Sequence, residues 1–172
     1  MDRQFNPDAP GKVWVSDITY IHTTHGFRYL TSVIDLYDRK VVGWSMSNNL
    51  TAKGTAVRAY QMAVRHRRTT YGMIFHSDPG VQYACEEFRN TLDKNVVQGM
   101  SRRGNCWDNA VVESFFKSLK CELIYGNRML TPDQIELEIF EYIEIWYNKI
   151  RRHKALDNMT IDEFWKPNAK SA

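Results

Sequence analysis

The chain has 172 residues, 43% of them hydrophobic and 13% aromatic, which is enough apolar material for the core of one ordinary domain. A net charge of +3 and a pI near 8.7 suit a polyanionic partner without demanding one, so the placement of charge matters more than its sum. No stretch approaches the roughly 20 apolar residues of a membrane span, the start MDRQFNPDAPGK lacks the order of a signal peptide, and three cysteines (Cys85, Cys106, Cys121) match neither a disulfide framework nor a zinc pair, so a soluble protein of a reducing cytosol is expected.

After a leader over residues 1–10, KVWVSDITYIHTT reads as a strand, and His25-Gly26 offers a position that tolerates positive φ for a tight turn. FRYLTSVIDLY returns as a second strand. Asp38-Arg39 marks another turn before KVVGWSMS, so the first half is expected to be a three-stranded antiparallel meander. From Thr51 the pattern becomes helical, with Ala56, Val57, Tyr60, Ala63 and Val64 on one stripe. The basic run Arg65 to Arg68 closes that helix, where it complements the dipole. MIFHSD is a short buried strand, Tyr83 to Lys94 is read as one helix, and NVVQGMS as a further strand. Strand–helix alternation implies parallel additions to the sheet.

The loop SRRGNCWDN leads to a helix from about Ala110 to Ile124, in which Val112, Phe116, Leu119 and Leu123 form the apolar stripe. Val111 and Phe115 project off that stripe and are expected to pack in the core. Thr131-Pro132 with Gln134 is a capping box opening the next helix, whose buried stripe is Ile135, Ile139, Tyr142, Ile143 and Trp146. Thr160 with Glu163 starts a short terminal helix before a tail over residues 167–172. The expected domain spans residues 11–166.

Three acids stand out. Asp17 interrupts a strand of Val, Trp, Ile, Thr and Tyr, where burying a carboxylate is costly unless it is paired, hydrogen-bonded or metal-bound. Asp78 ends an apolar run before Pro79-Gly80, at the kind of strand end where open α/β sheets place ligand-binding groups. Glu113 lies on the flank of its helix; at roughly 100° per residue, Lys117 is about 40° from it and Lys120 about 20° to the other side, while the apolar stripe is about 90° away. A carboxylate that can bind metal thus shares a face with two ammonium groups that can hold phosphate. Taken singly, each acid has an ordinary reading as a turn, cap or i,i+4 residue. Among the rivals, Asp38 reads as turn chemistry and Asp108 as an N-cap, and Asp35 stands as the alternative ligand.

The strings WVSDITYI, FHSDPGVQY, MSRRGNCWDNAVVESFFKSLKCE and YNKIRRHKALDNMTIDEF, in that order, resemble the catalytic core of insertion-sequence transposases related to retroviral integrases. The resemblance covers nearly the whole chain. It implies an α/β, ribonuclease H-like fold: a five-stranded mixed sheet, three antiparallel strands followed by two parallel additions, flanked by helices. It also implies that Asp17, Asp78 and Glu113 form the DDE triad and that Lys120 is the basic residue the family uses against DNA. The interval from Pro79 to Val112 is one residue shorter than the family's usual spacing, and the missing residue is expected near Lys94-Asn95. Full-length relatives carry helix-turn-helix modules for recognising element ends; nothing before Asn6 is long enough for one, so the chain reads as a core whose sequence specificity resides elsewhere.

The implied activity is cleavage and strand transfer of DNA with two Mg²⁺ or Mn²⁺ ions, weakly bound without DNA, in a homo-oligomer in the bacterial cytoplasm or nucleoid. Asp17 would bridge the ions, Asp78 would fix one and Glu113 the other. Further DNA contacts are expected from Lys117, from the loop residues Arg102, Arg103 and Asn105, and from Arg151, Arg152, His153 and Lys154, with His76 supporting the metal site from behind. A hydrolytic nuclease of the same fold and a non-catalytic DNA-binding fragment are the rival readings.

Overall fold

The computed structural model of the protein describes residues 7–100, 110–125 and 129–166. Strand β1 (Val13–Thr23) pairs antiparallel with β2 (Gly26–Asp35), from Trp14 opposite Asp35 to Thr23 opposite Gly26. The connection is a two-residue hairpin, Thr24-His25, and Gly26 has φ +93°, a conformation glycine adopts without steric cost. Strand β3 (Val41–Ser47) follows β2 antiparallel after a turn in which Arg39 takes φ 64°.

A π-helical turn over Lys53–Val57 runs into α1 (Arg58–His66). Strand β4 (Met73–Ser77) then enters beside β1, parallel to it, and β5 (Val96–Met100) adds parallel to β4. The sheet order is β3-β2-β1-β4-β5, the five-stranded mixed sheet expected. Between β4 and β5 the single expected helix is two short ones, α2 (Val81–Ala84) and α3 (Glu86–Thr91), broken at Cys85, which is extended. On one continuous helix Tyr83 and Phe88 would lie about 140° apart; the break lets both rings reach the core, where each is at most 1% exposed.

Helix α4 (Ala110–Leu119) continues as a π-helical turn through Ile124. Helix α5 (Pro132–Phe140) opens on the Thr131–Gln134 capping box and continues as a π-helical segment over Glu141–Ile150. Helix α6 (Ile161–Phe164) opens on the Thr160–Glu163 box.

Two cores cover the two faces of the sheet. On one, Val15, Ile21, Leu30 and Ile34 meet Val112, Phe115, Phe116 and Leu119 of α4 and Ile135, Ile139 and Ile143 beyond it; Phe115 packs there as expected. On the other, Trp14, Val33, Val42, Met73 and Phe75 meet α1, Tyr83 and Phe88. Because successive strand side chains alternate between faces, the core membership of one strand residue assigns its neighbours. Among the described residues no helix is long and apolar enough to cross a membrane.

Asp35 and Asp38 are used up by the fold. Asp35, 0% exposed, accepts hydrogen bonds from the Gly11 and Tyr37 amides, Trp14 Nε1 and Arg67. Asp38 takes a two-pronged pair from Arg67 at 2.8 and 2.7 Å and a bond from Trp165 Nε1 at 2.9 Å. Burial pushes Asp38 up, yet Arg67, Trp165 and the Lys40 amide outweigh it and hold its carboxyl below the ordinary range. Asp35 is therefore not an alternative metal ligand. Asp38 is more than a turn residue, and Arg67 is a part-buried counter-ion rather than a dipole complement.

Candidate functional site

Strand β4 pairs with β1 only from Val13 opposite Ile74 to Ser16 opposite Ser77. Asp17 and Asp78 are the next residue on each strand, so their backbones sit side by side, about 5 Å apart, where β4 stops and β1 runs on. Alternation puts Asp17 on the face of Val15 and Ile21, the α4 side, and Asp78 on the face opposite Phe75 and Ser77, again the α4 side. Helix α4 packs across β1 and β2, which brings Glu113 and Lys120 over the same notch. Lys120 Nζ lies 4.9 Å from the centre of the Tyr20 ring, three residues along β1 from Asp17.

The electrostatics report this proximity. Asp17 is pushed up to about 6 by burial first of all, with the charges of Asp78 and Glu113 adding to the rise; the Ile18 amide, 2.8 Å from Oδ1, and Lys120 oppose it. A carboxyl whose proton affinity is raised by burial and further by two nearby carboxylates is in a site short of positive charge. Asp78 is part-buried, and its Oδ1 accepts the Gly80 amide at 3.2 Å. Glu113 and Lys117 are exposed on the same helix flank. Among the described residues no three acidic, histidine or cysteine side chains stand in ligating position around a single point. The three acids are thus electrostatic neighbours on separate elements, Asp17 within β1, Asp78 just past the end of β4 and Glu113 on an exposed helix face from which its side chain can turn.

Beneath the two aspartates lies a contact for which the sequence offered no signal. Tyr83 Oη and Ser16 Oγ hydrogen-bond at 2.8 Å, both groups fully buried, and Gln98 Nε2 donates to the Tyr83 carbonyl at 2.7 Å. Burial, and then the charges of Asp17 and Asp78, raise the Tyr83 phenol well above its ordinary value despite the Ser16 bond, so it stays protonated. The pair ties α2 to β1 one residue before Asp17. His76 is on the Asp78 side of β4, between Val15 of β1 and Gly99 of β5 in the register.

The basic residues near the C-terminus do not join this notch. Arg151 pairs with Glu122 at 2.9 Å and lies over the Trp146 and Tyr147 rings; Arg152 pairs with Glu163. His153 occupies the interior, in contrast to the exposed DNA contact expected: it is 7% exposed, its Nε2 is 3.3 Å from the Tyr147 carbonyl, and burial lowers its pKa, so it is neutral at pH 7. Lys154 is exposed. Arg102, Arg103, Asn105, Cys106, Trp107 and Asp108 lie outside the described residues.

Comparison with known proteins fits this geometry. Residues 7–106 match one model of the integrase core domain and residues 94–160 match a second. The chain is 40% identical over 169 residues to the transposase InsF for insertion sequence IS3A of Escherichia coli K12, and 42% identical over 167 residues to the transposase for insertion sequence element IS904 of Lactococcus lactis. These matches cover 98% and 96% of this chain but only 58% and 65% of the relatives, so the chain spans roughly three fifths of their length. Two solved structures share the fold at 14% identity, both with a TM-score of 0.64. One is the trimeric form of the HTLV-2 integrase catalytic core domain in complex with magnesium, matched over 90% of this chain and 96% of that one; the other is the catalytic domain of Mos1 mariner transposase, over 78% and 71%. Sheet order, the family model and sequence identity lead to one conclusion: the chain belongs to the integrase core domain family, with the ribonuclease H-like fold of integrase and transposase catalytic cores.

Proposed function

We propose that this chain is the catalytic core of a transposase that cleaves DNA and joins its strands, with Asp17, Asp78 and Glu113 as the ligands of two divalent ions, Mg²⁺ or Mn²⁺. The observation that carries the reading is the proton affinity of Asp17, raised to about 6 by burial and by the two other acids. The donor set fits such ions: carboxylate oxygens are the hard ligands that Mg²⁺ and Mn²⁺ take, and Mg²⁺ fills its remaining positions with water and phosphate. The transposase relatives and the magnesium-bound integrase core support the same assignment. When bound, the ions would polarise the scissile phosphate and activate water or a DNA 3′-hydroxyl.

The chain's own residues do the rest. Asp17, on the central strand and backed by the Ser16–Tyr83 bond, holds its position; Asp78 is held by the Gly80 amide. Glu113 closes from the helix when charge arrives. Lys117 and Lys120 on that same face accept the phosphates of the reacting strand, and His76 supports Asp78 from one pleat behind. Arg102, Arg103 and Asn105, just before α4, are assigned to the DNA as well, and the active form is a homo-oligomer in the bacterial cytoplasm.

The test is an oligonucleotide cleavage and joining assay with Mg²⁺ or Mn²⁺ on the wild type and on Asp17→Asn, Asp78→Asn and Glu113→Gln. Each substitution is expected to bring joining to background while circular dichroism stays unchanged. Joining at the wild-type rate by Asp17→Asn would overturn the triad, and hydrolysis without joining would make the protein a nuclease.

A further inference from the structure

Two adjacent hydroxyls of β2, Thr31 Oγ1 and Ser32 Oγ, are buried without a hydrogen-bond partner among the described residues, and both residues are 0% exposed. The other buried serines of the strands are paired: Ser16 with Tyr83, Ser45 with the Thr55 carbonyl at 2.9 Å, Ser47 with the Asn49 amide and Ser77 with the Asp78 carbonyl at 3.0 Å. Burial strips a hydroxyl of water, and with no protein partner nothing is returned, so an unpaired one weakens the fold. Such a group calls for an explanation.

Neighbours in sequence, the two residues face opposite ways. In the β1–β2 register Thr31 stands opposite Ile18 and Ser32 opposite Asp17. Thr31 shares the face of Val33, in the core around Tyr83 and Phe88, whereas Ser32 shares the face of Leu30 and Ile34, which α4 covers. Residues directly opposite on antiparallel strands lie on one face with Cβ atoms about 4.5–5.5 Å apart. The Ser32 hydroxyl is therefore one cross-strand step from the Asp17 carboxyl and swings about a single side-chain torsion. Asp17 accepts only the Ile18 amide, at Oδ1, among the described residues. A carboxylate offers about four lone-pair positions on its two oxygens, so Oδ2 has capacity to spare where Ser32 has an unused donor.

We propose that Ser32 is a positioning residue of the metal centre: its hydroxyl donates to Asp17 Oδ2 when that carboxylate holds a divalent cation, and so fixes the plane of the carboxyl group. This rests on the reading of Asp17 as a metal ligand. A donor aimed at a charged carboxylate makes a shorter and stronger bond than one aimed at a neutral acid. With the Ile18 amide on Oδ1 and Ser32 on Oδ2, each oxygen keeps a further lone pair for a cation. Strand β2 is paired on both sides, with β1 and β3, so the hydroxyl is carried on a backbone that cannot move far. The fold thus keeps a donor in reserve, and the stability it gives up without metal is recovered when metal binds.

The test pairs Ser32→Ala with Thr31→Val, each of which removes one unpartnered hydroxyl, on opposite faces of the sheet. In EDTA both variants are expected to melt about 2–4 °C above wild type, because an unsatisfied buried group has gone. Mn²⁺ affinity is read from the electron paramagnetic resonance signal of the free ion and from the rise in melting temperature. It is expected to weaken about tenfold or more in Ser32→Ala, as for loss of an outer partner of a metal ligand, and to stay at the wild-type value in Thr31→Val. A serine with a purely structural role could not raise the metal-free melting temperature and weaken the metal together. Wild-type Mn²⁺ affinity in Ser32→Ala, equal weakening in both variants, or a lower melting temperature for Ser32→Ala in EDTA would each overturn the proposal. Asp17→Asn separates the two readings. If it loses the ion while Ser32→Ala keeps it, the triad stands without Ser32; if it responds to Mn²⁺ as the wild type does, the metal-ligand reading of Asp17 falls and Ser32 with it.

Discussion

Asp17→Asn should make the protein more stable as it makes it inactive. The carboxyl is pushed from 3.8 to about 6 in the folded chain, and that gap corresponds to about 3 kcal/mol of ionisation cost. Asp17 is only part-buried, so water screens some of this, and about 1–2 kcal/mol is the expected gain. Asparagine keeps an oxygen to accept the Ile18 amide and removes the charge. The sign depends on pH. Below the unfolded value of 3.8 the carboxyl is neutral in both states and costs nothing. Between there and about 6 the unfolded chain ionises while the folded one holds its proton, so wild-type stability falls as pH rises; above about 6 the full cost is present. Thermal melts in EDTA should therefore show Asp17→Asn higher by about 2–8 °C at pH 8 and level with wild type at pH 3.5. Adding Mn²⁺ at pH 8 should raise the wild type and leave the variant unmoved. A gain independent of pH, or a loss at pH 8, would refute the claim that the three acids repel one another across the notch.

Two further substitutions test the scaffold. Arg67→Met leaves Asp35 and Asp38, both side chains 0% exposed, without their counter-ion and is expected to cost about 3–5 kcal/mol by urea denaturation; a loss under about 1 kcal/mol would mean that the Trp14, Trp165 and backbone donors suffice. Gly43→Ala should cost about 1–3 kcal/mol, since a Cβ there would collide with the Ala59 carbonyl and stand 2.6 Å from the Ala63 nitrogen, prising α1 off β3. Wild-type stability in Gly43→Ala would show that α1 can shift without penalty.

Much of the fold was legible because its signals are local. The hairpin at Thr24-His25, the capping boxes at Thr131 and Thr160, and the apolar stripe of α4 each depend on residues a few positions apart. The break at Cys85 was not legible, since it comes from two aromatic rings competing for one core. Arg67 read as a dipole partner because its real partners lie 29 and 32 positions away, and Trp165 joins them from 127 positions beyond Asp38. Ser16 and Tyr83, 67 positions apart, carried no sign of each other. His153 was read as a surface cation among arginines, but a chain reversal that pairs it with Met159 turns its ring inward.

What the amino-acid sequence determined alone is the direction of each side chain within its own element. The period of two puts Asp17 with Val15 and Ile21, and the period of 3.6 puts Glu113 with Lys117 and Lys120. Tertiary structure alone decided that β4 enters beside β1 and stops opposite Ser16, so that Asp78 meets Asp17, and that α4 lies across β1 on the same face. Strand order and helix docking are settled by burial of two cores and by hydrogen bonding between distant segments, and no local pattern encodes which edge a strand will choose.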